Sequence, residues 1–209
     1  MIRSFIDRNA TDGSKPVNGD LERNPWTRKE SQIIYQNPWL TLREDRVIRP
    51  NGREGVYSVV ETRIATGVVT LTPEYETWLV GQYRYPTESY SWEIIEGGAD
   101  EGEEPLACIQ RELREEAGLL ARQWTPLSET IYLSNCISSE VGYLFLAEDL
   151  VETDPEPDET EILQLCRVPL GRALAMADQG EITDAMSIMG LFMAERYLWR
   201  TRGVSFRDV

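Results

Sequence analysis

Apolar residues in the first third of the chain recur at every second position or in short runs, and both patterns predict strands. Ile33, Ile34 and Tyr35 form one segment, and Trp39, Thr41 and Arg43 through Val47 form a second. Pro50-Asn51-Gly52 supplies the turn chemistry for a hairpin into Gly55 to Thr62. Two more strand candidates follow at Thr66 to Leu71 and Thr77 to Tyr83. The period then changes. Leu106, Ile109, Leu113 and Ala117 stand three or four residues apart, the spacing of a helix with one apolar stripe, and that stripe must face a core. Strand patterns return near Trp124 to Leu133, Val141 to Ala147 and Ile162 to Val168, and helical ones near Leu170 to Asp178 and Thr183 to Trp199. This order predicts an α+β fold in which helices cover both faces of an antiparallel-rich sheet. Residues 1 to 24 are polar and aperiodic, the pattern of a mobile or partner-tied arm. Glu152 to Glu161 carries six acids in ten residues and reads as a solvated connector.

The polar face of the first predicted helix carries a cluster. Glu112, Glu115 and Glu116 crowd one arc beside the apolar stripe, because residues three and four apart share a face. Carboxylates so close repel one another, so a cation is expected among them; Arg111, one turn before Glu115, neutralises part of the charge. Glu103, Glu104 and Pro105 suit the positive start of the helix, and Gly118 suits its end. With Gly97 these residues fit G-x5-E-x7-R-E-U-x-E-E-x-G-U, U being a bulky apolar residue, at every fixed position from Gly97 to Leu119. A solvated acidic helix laced with i,i+4 arginine pairs is the ordinary alternative for such a segment. The flanking glycines and the complete spacing favour a site.

Oxygens clustered without sulfur or imidazole favour a hard cation, Mg²⁺ or alternatively Mn²⁺, over zinc. The chain contains no histidine, which removes Ser-His-Asp and Cys-His nucleophiles and histidine bases from consideration. Magnesium held by a few carboxylates completes its shell with water and substrate phosphates, so the cluster points to a phosphate or pyrophosphate substrate. At 209 residues and 41% hydrophobic content the chain can bury one ordinary core plus a small appendage. A net charge of −15, from 36 acids and 21 bases, argues against nucleic acid or an anionic membrane as partner. Cys108, Cys136 and Cys166 are odd in number and form no CxxC pair, so all three are expected to be buried thiols. The first residues develop no apolar h-region and no run of 18 apolar residues occurs, which predicts a soluble cytoplasmic protein.

The segment from Gly97 to Leu119 resembles the Nudix box, signature of hydrolases that cleave nucleoside diphosphates linked to another moiety. Gly81-Gln82-Tyr83-Arg84-Tyr85-Pro86, followed by Trp92-Glu93-Ile94-Ile95-Glu96-Gly97, resembles the strand and approach loop of the ADP-ribose and nucleotide-sugar pyrophosphatase branch. The likeness runs from about Pro25 to Leu198. It implies a Nudix-type α/β/α sandwich with a mixed sheet over residues 65 to 209, preceded by a small β-rich subdomain over 25 to 64. In that branch the subdomain commonly mediates homodimerisation and lends aromatic side chains that stack on the nucleotide base. Trp26, Tyr35 and Trp39 are the candidates for stacking, with packing as the alternative for each.

The resemblance also implies Mg²⁺-dependent hydrolysis of a pyrophosphate bond, best fitted to ADP-ribose giving AMP and ribose 5-phosphate. Glu112 and Glu116 would be the principal metal ligands, and Glu115 a ligand or the holder of a metal-bound water. The backbone carbonyl of Glu96 or Gly97 would add another ligand. Glu103 and Arg111 would brace the loop and helix, with Gly97 and Gly118 as structural positions of the box. Glu140 falls where ADP-ribose pyrophosphatases carry a catalytic or metal-binding glutamate, an ordinary loop acid being the alternative. Glu115, Glu140 and Arg111 are thus the catalytic candidates. Arg84 either clamps a phosphate through its guanidinium or pairs with Glu93 or a box acid. Two departures from the branch are visible: Ser134-Asn135 where the ADP-ribose subgroup shows a proline, and Glu96-Gly97 where Ala-Gly enters the box. Other nucleotide sugars, such as GDP-mannose or UDP-glucose, and dinucleoside polyphosphates therefore remain open as substrates. A nucleotide-sensing module without catalysis would typically have lost box glutamates, and none is lost here.

Overall fold

The structure, a computed structural model, describes residues 23–154 and 162–206. All but the last two residues of the arm expected over residues 1 to 24, and most of the connector expected over Glu152 to Glu161, lie outside the described residues. The chain opens with three antiparallel strands, β1 (Thr27–Gln36), β2 (Leu40–Ile48) and β3 (Glu54–Thr62), in the order β1-β2-β3. Asn37 shapes the first hairpin, its Oδ1 accepting from the Trp39 and Leu40 N–H groups at 2.9 Å. The second turn is the one predicted at Pro50-Asn51-Gly52. Gly52 adopts φ +79° there and donates to the Arg49 carbonyl at 2.8 Å. All ten residues of β1 are exposed, Ile33, Ile34 and Tyr35 included.

Seven of the remaining strands and three helices follow: β4 (Ala65–Thr70), β5 (Glu76–Arg84), β6 (Ser89–Glu93), β7 (Ile95–Gly98), α1 (Pro105–Ala117), β8 (Leu119–Pro126), β9 (Ile131–Tyr132), β10 (Val141–Glu152), α2 (Leu170–Asp178) and α3 (Ala185–Arg202). An eighth, β11 (Gln164–Pro169), precedes α2. The central sheet has the order β7-β4-β10-β8, with β9 added to β10. β4 and β10 run parallel and every other pair in it is antiparallel, so the sheet is mixed as expected. A third sheet, β11-β5-β6, stands beside it.

Helices cover both faces of the central sheet. Val69, Leu144 and Leu146 pack among α2 and α3, whereas Val68, Phe145 and Ala147 pack among α1 residues. Successive residues of β4 and β10 thus enter opposite cores, which is why Val68-Val69 and Leu144 to Ala147 read as unbroken apolar runs. Along α1, Ile109, Leu113 and Ala117 are buried as the stripe predicts, but Leu106 is 39% exposed. Leu106 belongs to the first turn after Pro105, and Cys108 takes the buried place instead. No helix among the described residues is long and apolar enough to cross a membrane.

Other expectations need correction. The strand expected over Trp124 to Leu133 is two pieces: Gly118, at φ +60°, turns α1 straight into β8, and pairing lapses after Pro126 until β9. The approach loop read over Trp92 to Gly97 is strand for most of its length, holding the end of β6 and most of β7. Of the three cysteines only Cys108 is buried, with burial pushing its thiol up to about 11; Cys166 is half-buried on β11 and Cys136 is exposed in a loop. Ile109 and Leu113, both wholly buried, seat α1 on the sheet. Leu113→Ala is expected to lower the unfolding free energy by about 3 kcal/mol in urea titration, while Leu106→Ala stays within about 1 kcal/mol.

Candidate active site

α1 and β7 meet at the point where the box begins. Gly97 pairs with Thr66 across the β4–β7 ladder, and the Glu112 side chain lies directly over it. A Cβ at position 97 would stand 2.1 Å from Glu112 Cγ and 2.2 Å from its Cδ, so only glycine lets the helix carboxylate approach this backbone. The Gly97 carbonyl accepts from the Thr66 hydroxyl at 3.0 Å. Gly118 closes the helix in the left-handed conformation, its N–H directed to the Arg114 and Leu113 carbonyls.

Arg111 binds three carboxylates at once. Its Nε and Nη2 reach Glu103 at 3.1 and 3.0 Å, and its Nη1 reaches Glu112 at 2.8 Å and Glu115 at 3.0 Å. Glu103 in turn accepts from the Asp100 N–H at 2.9 Å, which ties the incoming loop to the helix. Hydrogen bonding by Arg111 is the first cause holding the Glu103 carboxyl below its usual range, and the same bonds raise the guanidinium pKa further.

Glu96 and Gly97, Glu112 and Glu116, Arg84 and Glu140 line one cleft of about 380 Å³, joined by Trp39, Arg63, Thr66 and Gln82. A broader hollow of about 710 Å³ opens beside it and shares Trp39 and Arg63, but of the residues assigned to the box chemistry it touches only Glu103. The chemistry therefore belongs to the smaller cleft. Glu140 enters from the segment between β9 and β10, and desolvation raises its pKa. Arg84 grips the buried Glu93 through Nε and Nη2, so its alternative of a structural pair is realised, while the residue still lines the cleft. Glu115 meets Arg111 on the flank of the helix and is not among the cleft-lining residues.

The three aromatic candidates separate. Trp39, 68% exposed, lines the cleft. Trp26 packs edge-on against Tyr57 outside it, and Tyr35 is exposed on β1, where Asn37 Nδ2 donates to its hydroxyl at 3.4 Å.

Sequence reasoning missed Ser187 and Asp184. Ser187, fully buried on α3, accepts from the Ile94 N–H at 3.0 Å and donates to Glu96 Oε1 at 2.7 Å. Asp184 caps α3 by accepting from the Ser187 N–H at 2.7 Å. Burial, and then the charge of Asp184, push the Glu96 carboxyl well above its usual range. Asp184 was detectable as a helix cap, but no local signal joins Ser187 to a residue 91 positions earlier.

Among the described residues no three acidic or thiol groups form a ready-made ion cage. Magnesium needs none, since it retains several waters and takes one or two carboxylates plus substrate oxygens. Glu112, Glu116 and Glu140 beside the Glu96-Gly97 backbone, without sulfur or imidazole, form a donor set that fits such a hard ion.

Comparison with known proteins gives a family for both parts of the chain. The family model described as NUDIX domain matches residues 61–186, and the one described as Nucleoside diphosphate sugar hydrolase N-terminal domain matches residues 26–60. An ADP-ribose pyrophosphatase of Bacillus subtilis (strain 168) is 33% identical over 154 residues, 73% of this chain and 83% of that protein. A GDP-mannose pyrophosphatase of Yersinia pestis (strain Pestoides F) is 34% identical over 125 residues, 56% of this chain and 63% of that protein. A crystal structure of an ADP compounds hydrolase superposes with a TM-score of 0.77 at 25% identity, covering 86% of this chain and 97% of that one.

The Glu96 environment gives a signed pH dependence. A carboxyl whose pKa is raised on folding burdens the native state once the pH passes the unfolded value, and the burden grows until the folded pKa is crossed. In EDTA, Glu96→Gln is therefore expected to raise the Tm relative to the parent at pH 8, with the gain shrinking towards pH 4; a gain that grows towards acid would contradict the assignment.

Proposed function

The chain belongs to the Nudix hydrolase family, and from that premise we propose that its cleft hydrolyses the pyrophosphate bond of ADP-ribose to give AMP and ribose 5-phosphate. The observation that carries the reading is the approach of Glu112 to Gly97 in a cleft that also gathers Glu116, Glu140 and Arg84. The names of the similar pyrophosphatases support ADP-ribose first and keep GDP-mannose as the rival substrate.

Glu112 and Glu116 would hold Mg²⁺, with Glu115 beside them and the Glu96 or Gly97 carbonyl as a further ligand; Mn²⁺ would fit the same oxygens. When bound, the ion neutralises pyrophosphate oxygens and lowers the pKa of an attacking water. Arg111 fixes the rotamers of Glu112 and Glu115, and through Glu103 it fixes Asp100 in the loop that follows β7. Arg84, held by Glu93, directs its remaining N–H donors at a phosphate, for which a guanidinium is geometrically suited. Glu140 takes the proton of the water, and burial, which raises its pKa, strengthens it as a base. Trp39 offers the aromatic face for the base.

The enzyme works as a homodimer in the cytoplasm. A ten-residue edge strand, exposed throughout and carrying Ile33, Ile34 and Tyr35, is a surface that pairing with a second copy would cover.

Glu112→Gln and Glu116→Gln are each expected to reduce AMP release from ADP-ribose and Mg²⁺ by more than about 100-fold, beyond what loss of an outer-shell partner removes. Near-parental turnover in both would overturn the ligand assignment, and monophosphate release from GDP-mannose but not from ADP-ribose would move the substrate. Light scattering at micromolar concentration should give twice the 23.9 kDa chain mass. A Tyr35→Glu variant should give the single mass.

A further inference from the structure

The segment that carries Glu140 is a compact turn leaning on the N-terminal sheet. Ile137 and Ser138 both donate to the Ser134 carbonyl, at 3.0 and 2.9 Å, and Leu133 N–H reaches the Glu140 carbonyl at 3.3 Å. These bonds close the turn on itself but leave it to be placed relative to the cleft. Placement comes from β3. Its edge opposite β2 pairs with the turn: Val60 N–H donates to the Ile137 carbonyl at 2.9 Å, and Ser139 N–H donates to the Val60 carbonyl at 3.0 Å.

A side chain adds a third bond on the same side. The Tyr57 hydroxyl donates to the Cys136 carbonyl at 2.8 Å, across 79 positions of sequence. The three bonds thus engage residues 136, 137 and 139, and the next residue is Glu140. Tyr57 is itself held, because the Trp26 ring stands edge-on to it with centroids 5.2 Å apart and planes at 88°. Trp26 is fixed in turn by its N–H bond to Asn24 Oδ1 at 3.0 Å. Neither aromatic lines the cleft that holds Glu112 and Glu116.

We propose that Tyr57 is a positioning residue for Glu140, and that Trp26 serves the reaction by bracing Tyr57 rather than by stacking on the nucleotide base. The inference rests on the proton-accepting role given to Glu140 above. Backbone bonds from Val60 fix the middle of the turn, and the Tyr57 hydroxyl fixes its near end, so together they remove the rocking motion that two adjacent anchors allow. A general base must stand within hydrogen-bond reach of the water it deprotonates, and a displacement of about 1 Å can lower a rate about 100-fold. The N-terminal sheet thereby becomes part of the catalytic apparatus of its own chain.

The variants to compare are Tyr57→Phe, Trp26→Ala, Glu140→Gln and the Tyr57→Phe/Glu140→Gln pair, assayed with Mg²⁺ and ADP-ribose, or GDP-mannose should that be the compound turned over. Tyr57→Phe keeps the ring against Trp26 and removes only the hydroxyl. It should lower kcat about 10-fold with KM within about twofold, and speed amide exchange at Ile137 to Glu140 while the Tm stays within a few degrees. Trp26→Ala should lower kcat in the same manner. On the Glu140→Gln background Tyr57→Phe should add no further loss, because it acts through that carboxylate. Parental kcat in Tyr57→Phe with Glu140→Gln inactive would overturn this inference alone, as would a loss that adds in full on Glu140→Gln. A Trp26→Ala variant that raises KM and spares kcat would restore base stacking and also overturn it. Parental activity in Glu140→Gln would remove the role of Glu140 itself, and the positioning role with it.

Discussion

Like charge gathered on one turn of helix is the constraint around which the molecule is arranged. Glu112, Glu115 and Glu116 occupy consecutive positions of one arc, and at such separations carboxylates repel strongly unless a cation divides them. Arg111 supplies that cation with a planar fork that reaches Glu103, Glu112 and Glu115 together. An ammonium group could not bind in three directions with the same fixed geometry. The guanidinium thus offsets the repulsion within the cluster, and the adjoining apolar stripe of the helix is anchored by Ile109 and Leu113 in the core.

Two structural elements from opposite faces of the sheet converge on β7. From one side Glu112 presses against Gly97, where any side chain would collide. From the other side α3 reaches over through Ser187, which joins the Ile94 amide to the Glu96 carboxyl. The four-residue strand is thus clamped from both faces where its Glu96, Gly97 and Gly98 line the cleft. A glutamate at position 96, where the family pattern carries alanine, acquires its meaning from this clamp: it is a tie to the cap of α3.

β3 extends the same logic to the far wall. It pairs with β2 on one edge and with the turn bearing Glu140 on the other, so the small N-terminal sheet touches the chemistry through backbone bonds. Its outermost strand, β1, is left with an open edge and an exposed apolar surface. One sheet therefore presents one edge towards the cleft and leaves the surface of its outermost strand uncovered among the described residues.

The sequence by itself determined the mixed α+β architecture, the strands β4 and β5, the hairpin at Gly52, the extents of α1 and α2, and the box with its glutamates. Each depends on local rules: period, turn chemistry, capping and spacing along one helix. Its errors arise where those rules stop. Leu106 obeys the helical stripe yet stays partly exposed in the first turn of α1, and Cys136 is exposed in the turn before β10. Tertiary structure alone decided the alliance of Glu96 with Ser187 and Asp184, the seizure of Arg84 by Glu93, and the anchoring of the Glu140 turn on β3. The reason is physical: Arg84 and Glu93 meet across the β5–β6 hairpin and the other contacts join residues far apart in the chain, and such meetings are set by strand pairing and by how layers pack, which no period in either segment records.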